Sequence, residues 1–137
     1  MDHLQEAVRK LSETDATFVA VNNDRIIESH ERGIAPILTL LLTEPEALRG
    51  ASVADKVIGK AAALLLIYAG VDHLHAKTIS EHAVSVLSEH PVSYSFGQKV
   101  PFIVNRKGDG ICPMEKQVLN ITDPKKAFEI LRVGMEL

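Results

Sequence analysis

The spacing of apolar and polar positions divides the first third of the chain into a helix and a hairpin. Apolar residues three or four positions apart predict an amphipathic helix over about 2–14. Two segments with strand character follow, at 16–21 and 25–30, and Asn22-Asn23-Asp24 joins them. Because Asn and Asp tolerate left-handed backbone, Asn22-Asn23-Asp24 predicts a turn, and the two segments around it predict a β-hairpin.

The middle of the chain is dominated by apolar residues. Segment 34–42 is apolar almost throughout, and Pro36 near its start suits a first helical turn. Ser52, with Asp55 three residues later, resembles a capping box in which Asp replaces the preferred Glu. This box predicts a helix over 52–69. Its second half is apolar on nearly every face, so we expect it to be buried between layers.

The remaining elements are bounded by glycine, proline and capping residues. They are a strand at 71–77, a helix opened by Thr78-Ile79-Ser80-Glu81, strands at 92–96 and 100–105 around the turn Gly97-Gln98-Lys99, a helix from Cys112-Pro113 to Leu119, and a helix from Asp123-Pro124 that buries Ala127, Phe128, Ile130 and Leu131. A hairpin followed by strand–helix–strand crossovers predicts an α/β fold. We expect a three-layer α/β/α arrangement with a mixed β-sheet, in a single domain over 1–137.

Composition excludes several function classes. The 137 residues carry a formal net charge of -3 and no Trp, which argues against a nucleic-acid partner. A single cysteine can form neither an internal disulfide nor a cysteine-rich zinc site. Uncharged stretches such as 61–71 are far shorter than the ~20 apolar residues of a membrane span, so no membrane partner is expected. A reducing, cytoplasmic setting is the simplest interpretation.

Three stretches carry a resemblance to a known family. They are Asp55-Lys56-Val57-Ile58-Gly59-Lys60-Ala61-Ala62-Ala63, His75-Ala76-Lys77-Thr78-Ile79-Ser80-Glu81-His82-Ala83 and Cys112-Pro113-Met114-Glu115-Lys116. On these residues the chain resembles small prokaryotic proteins of unassigned function with a cytidine deaminase-like fold. The resemblance implies a hairpin followed by a buried helix, with that helix and the next one both starting at the active site. It also implies a homo-oligomer.

The zinc motifs of deaminases are missing. Zinc deaminases place His-x-Glu or Cys-x-Glu at the first of these helix starts and Pro-Cys-x-x-Cys at the second. Here the predicted starts read Ile58-Gly59-Lys60-Ala61-Ala62 and Thr78-Ile79-Ser80-Glu81-His82-Ala83, without the ligands that zinc requires. Cys112 precedes its proline and lies two elements too late. His73 and His75 alternate on one strand, but a third ligand is not evident. We therefore expect no metal, no other cofactor and no zinc-dependent deamination.

Basic residues stand near the predicted start of the buried helix. In a helix over 52–69, Lys56 and Lys60 share a face, beside Asp55 and Gly59. Two lysines near the positive end of a helix dipole are reasonable if an anion such as a phosphate binds there. The alternative is a solvated basic turn, with Gly59 present for helix–sheet packing.

A second group of candidates lies at the start of the next helix. Thr78, Ser80 and Glu81 form a capping box, which alone is more often structural than functional. If this start faces the first one, these residues line a pocket, and Glu81 with His82 is a possible acid–base pair. The candidate catalytic residues are Asp55, Glu81, His82 and Cys112. The candidate ligand-binding residues are Asp55, Lys56, Gly59, Lys60, Thr78, Ser80, Glu81, Arg106 and Lys107, the last two from a loop that is otherwise a plain exposed turn.

Two hypotheses of different class follow from these residues. The first is a pocket that binds a nucleotide-like or other phosphorylated small molecule, whether as a sensor, a carrier or an enzyme with metal-free chemistry. The second is a non-catalytic structural subunit of a homo-oligomer, in which the apolar segment 34–42 is an interface instead of core. Fold alone does not choose between them.

Overall fold

The structure is a computed structural model that describes residues 2–105 and 107–136, and the side chains up to residue 133. The elements in chain order are α1 (His3–Glu13), β1 (Phe18–Asn22), β2 (Arg25–Ser29), α2 (Ala35–Thr43), β3 (Ser52–Ile58), α3 (Lys60–Ala69), β4 (His73–Ser80), α4 (Glu81–Leu87), β5 (Ser93–Val100), α5 (Pro113–Gln117) and α6 (Pro124–Glu136).

The strands form one mixed sheet in the order β2-β1-β3-β4-β5. β1 is antiparallel to both of its neighbours, whereas β3, β4 and β5 run parallel to one another. The hairpin turns through Asn23, which adopts the left-handed φ of 56° that the Asn-Asn-Asp sequence predicts. The α/β class and the mixed sheet are therefore confirmed.

Helices cover both faces of the sheet. α1 packs on β1 and β3 through a small apolar cluster that includes Ala7 and Leu11. The larger cluster joins the other face of the sheet to α2, α3, α4 and α6. α3 contacts β3 and the helices α2, α4 and α6, and Tyr68 stacks on Phe128 of α6 with ring centroids 4.9 Å apart. These contacts explain why α3 is apolar on nearly every face.

The predicted helix over 52–69 is wrong in its first half. Residues 52–58 form the central strand β3, and the helix begins only at Lys60. A central strand is covered on both faces and does not need alternating apolar and polar residues, so the sequence of 52–58 lacks the pattern that would mark a strand. Ser52 and Asp55 therefore form no capping box, and Gly59 is the residue before the helix instead of one inside it.

The boundary between β4 and α4 lies later than predicted. β4 runs on to Ser80, so Thr78 belongs to a strand and does not open a helix. Ser80 is the N-cap of α4, and its Oγ accepts a hydrogen bond from Ala83 N at 3.0 Å. The predicted capping box of Thr78 with Glu81 is therefore wrong, and the helix is capped by Ser80.

The predicted strand at 92–96 is part of a longer strand, β5, which continues through Gly97 to Val100, and the separate strand predicted at 100–105 is wrong. A Cβ at Gly97 would lie 2.9 Å from the carbonyl oxygen of Lys77, so the glycine permits close contact with β4. It does not mark a turn. Residues 101–105 add only an isolated bridge between Val104 and Ile111.

Two further predictions about packing are settled by burial. Segment 34–42 is core, because Ile37 and Leu38 of α2 lie within the main cluster, and this contradicts its interpretation as an interface. On α6, the predicted buried face holds for Ala127, Phe128 and Leu131, but Ile130 is exposed.

Candidate functional site

An internal carboxylate occupies the start of α3. Gly59 precedes this helix in an extended conformation and offers no side-chain cap. The Glu115 side chain of α5 takes that role: Oε1 accepts from Lys60 N at 2.7 Å and Oε2 accepts from Ala61 N at 2.8 Å. A carboxylate is favoured there by the free N–H groups and by the positive end of the helix dipole. The place where the sequence predicted an external anion thus holds the protein's own anion.

The surroundings of Glu115 are closely packed. A Cβ at Gly59 would lie 2.6 Å from Glu115 Cδ, so only glycine leaves room for the carboxylate. Lys60 is also buried, and its Nζ donates to the carbonyl oxygen of Leu119 at 2.9 Å. Gly59, Lys60, Glu115 and Leu119, which we call the α3 latch, fasten the α5 segment to the start of α3. Sequence reasoning missed Glu115, because no local pattern connects residues 55 positions apart.

Lys56 does not share a face with Lys60, contrary to the prediction. Lys56 lies on β3 and faces α1, whereas Lys60 begins α3 on the other side of the sheet. Successive residues of a strand point to opposite faces, so Asp55 and Lys56 are also separated. The predicted group of candidates therefore divides between the two faces of the sheet.

Asp55 is buried on the face covered by α2, α3 and α4. Its register partners, Phe18 and Ala76, both belong to the main cluster. Oδ1 accepts a hydrogen bond from Val57 N at 3.3 Å, whereas Oδ2 has no hydrogen-bond partner among the described residues. Burial raises the pKa of Asp55 to about 8, so this carboxyl is protonated at neutral pH.

The residues at the start of α4 play mainly local roles. Ser80 is fully buried, and Ala83 N uses its hydroxyl as a cap. Glu81 and His82 are exposed, and Thr78 is half-buried on β4. No hydrogen bond or ion pair between Glu81 and His82 is found in the described structure, and their role as an acid–base pair stays a prediction.

The loop candidates lie near the α5 segment. Arg106 lies outside the described residues. Lys107 is exposed in a turn in which Asn105 N donates to the carbonyl oxygen of Gly110 at 2.8 Å. Cys112 is half-buried at the start of α5, three residues before Glu115, and its N–H donates to the carbonyl oxygen of Ile103. The structure thus places Cys112 on the segment that the α3 latch holds.

A separate cleft lies between α1 and the strands β3 and β4. Its volume is about 380 Å³. Its lining residues are Val8, Leu11, Ser12, Thr14, Lys56, His75 and Lys77. The described residues that line this cleft have basic, hydroxyl and apolar side chains, and none of them carries a carboxylate. We call it the basic cleft.

The two lysines of the basic cleft lie side by side. Asp55 pairs with Ala76 and Val57 with Thr78 in the parallel register, which sets Lys56 opposite Lys77. Like charges directly opposite on neighbouring strands destabilise a sheet, so this pairing needs a compensating reason. Two cations on one face of a cleft attract an anion, and such a ligand would remove their repulsion.

His75 adds a titratable group to the basic cleft. Its Nδ1 lies 2.8 Å from Ser95 Oγ on β5, within hydrogen-bond distance. Burial lowers the pKa of His75 below its ordinary value, so the imidazole is neutral at neutral pH. Of these three residues, only Lys56 was predicted from the sequence to bind a ligand. His75 and Lys77 lie beside it because of the strand register.

Two searches of the described residues gave negative results. No group of three or more His, Cys, Asp or Glu side chains within 2–105 and 107–136 is arranged to hold a metal ion. None of the helices seen in those ranges is long and apolar enough to cross a membrane.

Comparison with known proteins identifies the family. The family model for a domain of unknown function, DUF1893, matches residues 6–135. The chain belongs to the DUF1893 family. The crystal structure of a DUF1893 family protein, TM1506 from Thermotoga maritima, is 34% identical and superposes on this DUF1893 chain with a TM-score of 0.87. The match covers 96% of this chain and 89% of that one. No curated protein matches the sequence. The prediction of a family of unassigned function is confirmed.

Proposed function

We propose that this DUF1893 chain binds a small phosphorylated or nucleotide-like molecule in the basic cleft. The observation that carries the proposal is the side-by-side placement of Lys56 and Lys77 in a cleft whose described lining contains no carboxylate. In the absence of an anion these two charges repel each other. A phosphate group accepts hydrogen bonds from both ammonium groups and neutralises them.

The remaining lining suits the rest of such a ligand. The volume of about 380 Å³ lies within the range of small-molecule pockets, about 300–1,000 Å³. Val8 and Leu11 supply an apolar wall, and Ser12 and Thr14 supply hydroxyl groups. A mixture of apolar walls and a few polar groups is typical of small-ligand sites. The proposal is for binding and requires no turnover.

Replacing either lysine is expected to weaken phosphate binding. Lys56→Met and Lys77→Met should each raise the Kd for inorganic phosphate and for adenosine monophosphate by about tenfold, through loss of one charged contact. Isothermal titration calorimetry measures the effect. Lys126→Met, on the exposed side of α6, is the matched control and should leave both Kd values unchanged. Lysine variants that bind both probes like the unchanged protein would contradict the proposal.

Anion binding in the basic cleft is expected to strengthen as the pH falls. The free protein has a lowered His75 pKa, and a bound anion stabilises the imidazolium, so binding takes up a proton. The Kd should therefore decrease as the pH falls through the range in which His75 of the complex becomes protonated.

Sulfate is the suitable probe for this pH dependence, because its own charge does not change near neutral pH. His75→Asn should bind sulfate with a Kd that varies much less with pH, whereas His82→Asn, at an exposed histidine, should retain the dependence. Equal pH dependence in the unchanged protein and in His75→Asn would remove His75 from the site.

The element order also supports a relationship to the cytidine deaminase-like fold, which we propose together with the binding function. A hairpin is followed by a buried helix, α2, and by α3 after the intervening strand β3. The two helix starts to compare with the zinc motifs are therefore at 33–36 and 59–63, not the pair chosen from the sequence. Neither stretch contains His or Cys, so zinc-dependent deamination is not part of the proposal.

A further inference from the structure

β5 leaves one long edge of the sheet open. Within residues 2–105 and 107–136 it pairs only with β4, so its outer N–H and C=O groups face away from the sheet. Apolar side chains lie on this strand and just after it: Phe96, Phe102 and Val104 are 39%, 43% and 51% exposed. An open edge with apolar side chains is a surface on which another strand can add.

The two edges of the sheet differ in their protection against such pairing. β2, the opposite edge, has five residues and includes the charged Arg25 and Glu28. β5 has eight residues, of which only Lys99 is charged. Charged side chains and short length are the usual devices that keep an edge strand from pairing. β5 is thus the longer and less protected edge.

We infer that a second copy of this chain pairs with β5 through its own β5, in antiparallel orientation about a two-fold axis. This inference goes beyond the binding function and does not depend on it. The two sheets would join into one continuous sheet across an isologous interface. In such a pair, opposed residues have side chains on the same face, so the two residue numbers are both odd or both even.

The sequence of β5 selects one register. With Phe96 on the axis, the two Phe96 rings meet on the face that also carries the register partner Ala76, and Lys99 lies opposite Ser93 of the second copy. An aromatic pair across neighbouring strands stabilises a sheet, and this register sets no lysine opposite another. Centring on Gly97 instead sets Phe96 opposite Gln98 and leaves the axis without a side chain. Recognition by a negatively charged partner is not indicated, because Lys99 is the single charged residue of β5.

Cysteine cross-linking tests the register. Phe96→Cys, in a Cys112→Ser background, is expected to oxidise to a disulfide-linked dimer. Directly opposed residues have Cα atoms about 4.5–5.5 Å apart, within the span of a disulfide. Lys99→Cys in the same background is the matched control. Two Lys99 positions would be six residues out of register, about 20 Å apart, so this variant should not cross-link. A mixture of the Ser93→Cys and Lys99→Cys chains should cross-link.

Solution mass provides a second test. The unchanged chain should show a dimer that dissociates on dilution in sedimentation velocity. Phe96→Lys should be monomeric with an unchanged far-UV circular dichroism spectrum, because it sets two charges together on the axis. Val133→Lys, on exposed α6, should dimerise normally. A chain that is monomeric at every concentration, a Phe96→Lys dimer of unchanged affinity, or equal cross-linking of Phe96→Cys and Lys99→Cys would overturn the inference.

Discussion

Asp55→Asn is expected to raise the free energy of unfolding at neutral pH and to reduce its dependence on pH. Burial raises the pKa of Asp55 to about 8, whereas an aspartate in an unfolded chain titrates near 3.9. Between these values the folded protein holds a proton that the unfolded chain has released. The free energy of unfolding therefore falls by up to about 1.4 kcal/mol for each pH unit of increase.

The raised pKa of Asp55 defines the pH range in which this residue affects stability. The contribution of Asp55 to stability is fully present below about pH 4, decreases as the pH rises, and reaches its minimum above about pH 8. Asparagine has nearly the same shape and does not titrate. Across this pH range the free energy of unfolding of Asp55→Asn should exceed that of the unchanged protein. The difference should be roughly 1–3 kcal/mol at pH 7, after discounting for relaxation around the buried group.

Urea unfolding at a series of pH values measures this difference. Asp72→Asn, at an exposed carboxyl, is the control and should show little change. The stabilities of Asp55→Asn and the unchanged protein should converge toward pH 4. An Asp55→Asn protein that is less stable than the unchanged protein at pH 7 and above would contradict the prediction.

Glu115→Ala is expected to cost about 2–4 kcal/mol of unfolding free energy, the second large effect. The change removes two hydrogen bonds from a carboxylate to the first N–H groups of α3 and leaves those groups buried. Glu115→Gln keeps an acceptor without the charge and should lose less. Urea unfolding measures both variants, with Glu129→Ala on the exposed side of α6 as the control.

A double-mutant cycle that combines Gly59→Ala with Glu115→Ala tests whether the carboxylate is the reason for glycine at position 59. A methyl group at Gly59 would displace the carboxylate, so Gly59→Ala should be destabilising in the unchanged protein. Once Glu115 is truncated to alanine the obstruction disappears, and adding Gly59→Ala should cost little. The two changes should therefore be strongly non-additive. Additive effects would show that Gly59 is required for a reason other than the carboxylate.

The sequence correctly predicted whether a segment is a helix or a strand where that segment buries one face and exposes the other. α1 shows this, since its apolar residues recur at helical spacing against polar ones and Asp2 supplies a capping box with Gln5. The hairpin turn at Asn23 followed from local backbone chemistry. Prediction failed at β3, which is buried on both faces and has no alternation to read. It failed again at Gly97, where close contact with the neighbouring strand has the same sequence signature as a turn.

The candidate site followed from the sequence only in that it drew attention to the residues around the start of α3. Lys56, Gly59 and Lys60 were expected to mark an external anion at a helix start, but the start of α3 is capped by the chain's own Glu115, and Lys56 lies on the other face of the sheet. That the anion is Glu115 could not be predicted, because the acid lies far along the chain and reaches the helix only after α5 packs. The burial of Asp55 could not be predicted either, because it depends on α2, α3 and α4 covering the same face of the sheet.

The sequence by itself determined the α/β class, the hairpin, the presence of a helix after residue 80, the buried nature of α3 and the absence of the deaminase zinc motifs. These properties depend on residue type and short-range spacing, which the chain carries locally. Only the tertiary structure decided that Lys56 lies beside Lys77, that His75 joins them, and that Glu115 closes the start of α3. Strand register and helix docking set these contacts. Both come from burying apolar surface over the whole chain, and no single segment contains that information.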